Sequence, residues 1–154
     1  DPGNRHGVIY LWGTVGLGMI PERIRQVAPD APLDSLAILL NPEHARRVAR
    51  CGIAVMDSAV DVLPSVLRHL GIHPDTTVQA ELDAAQRALL AIRPFLRSIP
   101  SPPLIIDALA SGEICLAFSY SGDVIQARAR AAEARRNHEV RYVMPREGAQ
   151  LWFD

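Results

Sequence analysis

Apolar positions along the chain fall into short runs that alternate between two periods. The stretch "HGVIYLWGTVGLGMI" at 6–20 interleaves β-branched and aromatic residues with glycines and predicts one or two strands, after which Pro21 opens a short helix, "PERIRQVA". "NPEHARRVARCG" reads as a helix with Asn41 as its cap, Pro42 at its first position and Gly52 just past its end. "IAVMD" is a short buried strand. In "VLPSVLRHLG" the residues Leu63, Val66, Leu67 and Leu70 recur at helical spacing until Gly71 stops them. "TVQAELDAAQRALLAIRPFL" is the longest predicted helix, with Leu82, Ala85, Leu89 and Ile92 on one stripe. "PPLIIDALASG" is a further helix, and "EICLAFS" is a continuous apolar strand of the kind covered on both faces. An arginine-decorated helix after Asp123 and the strands "VRYVMP" and "AQLWFD" complete the chain.

Strands alternate with helices throughout, which predicts a single α/β unit over 1–154: a three-layer sandwich around a central, mostly parallel sheet. In such a fold, ligands bind beyond the carboxyl ends of the strands, where loops lead into helix starts. Asp57 and Asp61 follow one strand in this way, and Tyr120 and Asp123 follow another. Trp152 and Asp154 stand two apart on a strand and so share a face, with Phe153 on the other. Each acid also has a purely structural explanation. Ser58 and Asp61 form an S-x-x-D capping pattern, and Asp123 sits in a first helical turn, where a negative charge is worth ~0.3–1 kcal/mol. Pro64 argues for a helix beginning there, with Asp61 in the loop before it.

Composition narrows the function classes. The chain has 154 residues, 49% hydrophobic, enough for a packed core, and its 17 acids and 16 basic residues nearly cancel. Every basic residue is arginine; these lie mostly on predicted helices without interleaved aromatics, which argues against a nucleic-acid partner. No apolar run approaches the ~20 residues of a membrane span. The chain opens "DPGNRHG", without an initiator methionine or a signal sequence, so a targeting segment has either been removed or never belonged to this stretch.

Chemistry-bearing motifs are sparse. His69 and His73 are separated by Gly71, which interrupts the helix that would bring them together, so no metal is expected. "GTVGLG" lacks the glycine order of a dinucleotide fingerprint, and no phosphate-binding loop occurs, so no cofactor is expected. Ser119 and Ser121 lack the glycines of a nucleophile elbow. No catalytic constellation is present, and an α/β hydrolase- or transferase-like enzyme is the minor alternative. Cys51 and Cys115 read equally as two buried thiols or as a bridge.

Four stretches, "VIYLWGTVGLG", "LNPEHARRVARCGIAVMDSAVDVLPSVLRHLG", "LIIDALASGEICLAFSYSGDV" and "MPREGAQLWFD", resemble successive segments of one family: the periplasmic polyamine-binding proteins of ABC importers, of the putrescine and spermidine type. The resemblance covers almost the whole chain, and its most specific elements are the tract ending "SGD" and the closing "EGAQLWFD". It implies one lobe of a type II periplasmic-binding-protein fold, excised from a two-lobed protein whose first lobe is absent. It further implies a polyamine ligand, a membrane permease as partner, a periplasmic location and no catalysis. A relative that takes another cationic solute, or that senses amines, is the alternative within binding proteins. Residue by residue, the resemblance assigns Asp123 and Asp154 to ammonium groups and Asp61 to a position where putrescine binders carry glutamate. Tyr120 stands where the family usually has tryptophan, and Trp152 matches an aromatic that packs on the methylene chain. Cys51 and Cys115 match a pair that is bridged in relatives. These residue types suit a diamine, which needs carboxylates at its poles and aromatic walls between them. Trp152 is expected to stand exposed on a lone lobe, because it would face the other one.

Overall fold

A computed structural model describes Gly3 and residues 6–154. Five strands are ordered β1 (Trp12–Met19), β2 (Ile53–Val55), β3 (Leu116–Tyr120), β4 (Arg141–Val143) and β5 (Leu151–Phe153). Among them run helices α1 (Pro21–Val27), α2 (Ala37–Leu40), α3 (Pro42–Val48), α4 (Ala59–His69), α5 (Gln79–Ile92), α6 (Pro102–Ser111) and α7 (Ser121–Glu133). The sheet order is β2-β3-β1-β4, with β5 pairing to the outer end of β1.

Local signals set most boundaries. The Asn41 side chain accepts from the Glu43 N–H at 2.8 Å and caps α3, whose first position is Pro42. Gly112 ends α6 in the left-handed region at φ 79°, which a residue with a Cβ rarely adopts. α4 differs from the reading that starts it at Pro64. It begins at Ala59 and carries Pro64 inside, so Asp61 lies in its first turn. The proline removes only the bond to the carbonyl of Val60, a residue 76% exposed. The four-residue α2 had no periodic signal long enough to mark it.

The α/β class holds, but the strand directions differ from the mostly parallel expectation. β2 and β3 are parallel, whereas β1 runs antiparallel to β3, β4 and β5. Alternation of strands and helices does not require a crossover between every neighbouring pair. β1 is inserted between β3 and β4, which come late in the chain, so its direction follows from long-range pairing.

Both faces of the sheet are covered. Val15, Leu17 and Met19 of β1 are fully buried on one face, while Gly18 on the other admits α6 and α7 so closely that a Cβ there would lie 2.6 Å from Val124. Phe118, Leu17, Met19, Ile24, Ile38 and Ile105 are among the largest fully buried side chains of a continuous core. Cys51 and Cys115 are joined in a disulfide, with Cα atoms 5.5 Å apart, which ties the turn before β2 to the residue before β3.

Candidate functional site

The sheet topology gathers the candidate residues at one edge. Because β2 and β3 are parallel neighbours, the loops after both emerge on the same side, one leading into α4 and the other into α7. β1 is antiparallel to β3, so its beginning lies at that edge as well: Val15 pairs with Tyr120. Two residues further out Gly13 pairs with Trp152, so β5 extends the sheet past the end of β3. Asp154 lies at the outer end of this ribbon, its backbone N–H donating to Leu11 and its carbonyl accepting from Tyr10 and Leu11.

Three of the five predicted residues touch. The Tyr120 hydroxyl donates to Asp61 Oδ2 at 2.6 Å, and the Ser58 hydroxyl donates to the same oxygen at 2.5 Å. Tyr120 and Trp152 meet edge to face, ring centroids 5.6 Å apart at 74°, a geometry in which positive ring edge meets negative face. Asp61, Tyr120 and Trp152 therefore form a continuous row of one carboxylate and two aromatic walls. Asp61 is 8% exposed. Burial first, then the bond to Asp61, pushes the Tyr120 phenol up to about 12, so it stays a neutral donor.

Asp123 stands apart from that row, in the first turn of α7, and is close enough for its charge to act on Tyr120. Its Oδ2 accepts from the Ser119 hydroxyl at 3.0 Å. Burial pushes its carboxyl above the ordinary value, and the Ser119 bond opposes that shift without cancelling it. The N-cap residue of α7, Tyr120, makes no side-chain cap bond to the helix. Asp154 is exposed, and its carboxylate makes no hydrogen bond or ion pair among the described residues. Asp57 is exposed as well.

Trp152 is half-buried, contrary to the exposed position expected of it. Its indole lies over Gly13, where a Cβ would come within 2.7 Å of Trp152 Cζ2, so glycine supplies the space for the ring. The indole Nε1 is buried without a hydrogen-bond partner. The exposed aromatics of this edge are instead Tyr10, Trp12 and Phe153, at 83%, 71% and 60%.

A scan against protein-family models matches none of them. The chain is 43% identical over 155 residues to the putrescine-binding periplasmic protein SpuD of Pseudomonas aeruginosa, covering all of this chain and 42% of that protein. The chain resembles one section of the polyamine-binding periplasmic proteins. Over 156 residues it is 36% identical to the putrescine-binding periplasmic protein PotF of Escherichia coli, again with all of this chain and 42% of the relative covered. Among solved structures, a spermidine/putrescine transporter substrate-binding protein, PotD of Streptococcus pneumoniae, superposes with a TM-score of 0.78 at 23% identity, covering 100% of this chain and 42% of that one, which supports the fold. A putative spermidine/putrescine transporter protein of Listeria monocytogenes gives a TM-score of 0.73 at 28% identity, covering 96% and 40%. The chain thus spans about two fifths of the length of the curated relatives it matches.

Beside these relatives, the arrangement is a wall of acids and aromatics with an open side. A cavity of about 490 Å³ between α4 and α5, lined by Leu63, Leu82 and Leu89, reaches the loop after β2 at Asp57 and Ser58, but none of the five candidates lines it. Sequence reasoning overlooked the holders of the carboxylates. Ser58 was weighed only as a cap and Ser119 only as a nucleophile, although each stands at helical-turn spacing, three and four residues, from the acid it bonds. Gly13 was read only as part of a strand. Among the described residues no group of three or more His, Cys, Asp or Glu is placed to hold a metal, and no helix is long and apolar enough to cross a membrane.

Proposed function

We propose that this chain is one lobe of a two-lobed binding protein that captures a polyamine of the putrescine or spermidine type and presents it to the membrane permease of an ABC importer. The observation that carries the reading is the row Asp61–Tyr120–Trp152, with Asp123 and Asp154 at the same sheet edge. A diamine at neutral pH is an apolar chain with a cation at each end. Carboxylates take the ammonium groups through charge-assisted hydrogen bonds, the faces of Tyr120 and Trp152 line the methylenes, and a cation–π contact with an ammonium adds ~0.5–2 kcal/mol. Asp123 is proposed for one ammonium and Asp154 and Asp61 for the other end or for an internal amine.

The names of the relatives and the full coverage of this chain support the ligand class, and the two-fifths coverage of the relatives supports a second lobe that closes the open side. The Cys51–Cys115 disulfide supports an oxidising compartment, in keeping with a periplasmic site of action. The proposed role is reversible capture without turnover.

Isothermal calorimetry of the two-lobed protein against putrescine, cadaverine, spermidine and spermine tests the reading. Binding of at least one amine at about micromolar affinity, near −8 kcal/mol, is expected. No heat with any of the four, from a folded protein, overturns it.

A further inference from the structure

Ser119 is fully buried, one position before the end of β3, and pairs with Gly16 of β1. Residues two apart on a strand share a face. Ala117 and Ser119 on β3 and Gly16 and Gly18 on β1 therefore share one face, on which Gly18 lies against α7 and Gly16 against Tyr142 of β4. Gly18 lies so close to Val124 that a Cβ would come within 2.6 Å of it, one residue after Asp123. The close seat brings the Ser119 hydroxyl to 3.0 Å from Asp123 Oδ2. Among the described residues Oδ1 accepts no hydrogen bond.

We propose that Ser119 is a positioning residue for cation capture: its buried hydroxyl fixes Asp123 Oδ2 against β3 and leaves Oδ1 directed at the ligand ammonium. The role rests on the reading of Asp123 as an ammonium-binding acid. A hydroxyl donating to a carboxylate stabilises the ionised form, which counters the burial that favours the proton. Other charges around α7 are engaged elsewhere. Asp107 of α6 pairs with Arg130, and Arg141 of β4 pairs with Glu139. Tyr142 of β4 is bonded to Thr14, and β1 carries no titratable side chain. The remaining groups on α7, Arg128 and Glu133, are exposed, and Tyr120 on β3 donates to Asp61. Ser119 is thus the group that fixes the aim of Asp123 and favours its ionised form against burial.

The test uses the two-lobed protein and reads two quantities: the NMR titration of the Asp123 carboxyl without ligand, and putrescine affinity by calorimetry between about pH 5 and pH 8. Ser119→Ala is expected to raise the Asp123 midpoint by about one pH unit, the equivalent of one hydrogen bond to a charged group. Affinity for putrescine should then be lost at a correspondingly higher pH. In an Asp123→Asn background the same Ser119→Ala change should alter affinity by less than about twofold, because the residue acts through the carboxylate. Ser119→Cys, which keeps a weak donor of similar size, should give an intermediate shift and replaces Ser119→Ala if that variant does not fold. A midpoint that stays in place, or an equal loss of affinity in the Asp123→Asn background, overturns the proposal. If the parent protein binds no polyamine, the proposed function fails, and the ligand-free titration alone decides whether Ser119 controls Asp123.

Discussion

Tyr120 donates its phenolic hydrogen to Asp61 Oδ2 over 2.6 Å, joining the end of β3 to the first turn of α4 across 59 residues of chain. One bond therefore holds an aromatic wall and a carboxylate in fixed relation. Ser58 donates to the same oxygen, so both bonds fall on Oδ2.

Tyr120→Phe should keep the ring against Trp152 and lose the bond to Asp61, at a cost of about 1–2 kcal/mol in folding stability. The parent protein should also lose more stability at alkaline pH than the variant, in which buried Tyr142 alone keeps a raised phenol. Folding raises the Tyr120 phenol from 10.0 to about 12, so its contribution is full below the unfolded value and is lost as pH rises through the folded one. Denaturant unfolding at several pH values between about 9 and 12 checks both points. Identical alkaline curves for parent and variant would contradict the assignment.

Asp123→Asn separates binding from folding. Burial raises the Asp123 carboxyl, so the folded state holds its proton more tightly than the unfolded chain. The stabilisation is full below the unfolded value and is lost as pH rises through the folded one, leaving a cost at neutral pH. The asparagine variant should therefore melt no lower than the parent at pH 7, even though its helix forfeits ~0.3–1 kcal/mol of dipole interaction. Putrescine binding should weaken by about 2–5 kcal/mol, as for a charge partner lost from a closed interface. Calorimetry and melting on the same samples decide it, with exposed Arg128→Gln as a variant that changes neither. A lower melting temperature with affinity within about threefold would assign Asp123 to the helix alone.

Glu147→Gln tests the anchor of the segment leading into β5. Burial alone would raise the Glu147 carboxyl, but the Ser35 hydroxyl, its own backbone, the Leu36 N–H and His69 together hold it below the ordinary value. A carboxyl lowered on folding contributes stability above its unfolded value, and that contribution is lost as pH falls through the folded one. The variant should lose about 1–3 kcal/mol at pH 7 and show a flatter acid limb in urea unfolding. An unchanged acid limb would show that the anchor carries no linkage.

The Cys51–Cys115 bridge spans 64 residues and in the chain-entropy model contributes roughly 4 kcal/mol. Thiol titration of the unreduced, unfolded protein should find no reactive cysteine. A Cys51→Ala, Cys115→Ala pair should lower the urea midpoint, and reductant should then have no further effect on it. Two thiols per chain in the unreduced protein would remove the bridge.

Part of the arrangement at this sheet edge was legible in the sequence where chemistry and resemblance agreed. Asp61, Tyr120, Asp123, Trp152 and Asp154 were named from the motifs around them, and the structure brings Asp61, Tyr120 and Trp152 into contact. The serines that hold the acids went unread, because a serine before a helix has several local uses and the choice between cap and carboxylate donor depends on side-chain direction. Gly13 was equally opaque, since its purpose is the room it leaves for an indole 139 positions later in the chain.

By itself the sequence determined most of the elements and several of their ends: Asn41 and Pro42 start α3, Gly112 stops α6, and the apolar run before Tyr120 makes β3. Those signals act over a few residues, so they survive without knowledge of the fold. Only the tertiary structure decided that β1 runs antiparallel between β3 and β4, that α4 continues through Pro64, and that Trp152 is half-buried. Each of these depends on which distant surface covers the segment. Pairing partners and burial are chosen by the free energy of the whole core, and no local period encodes them.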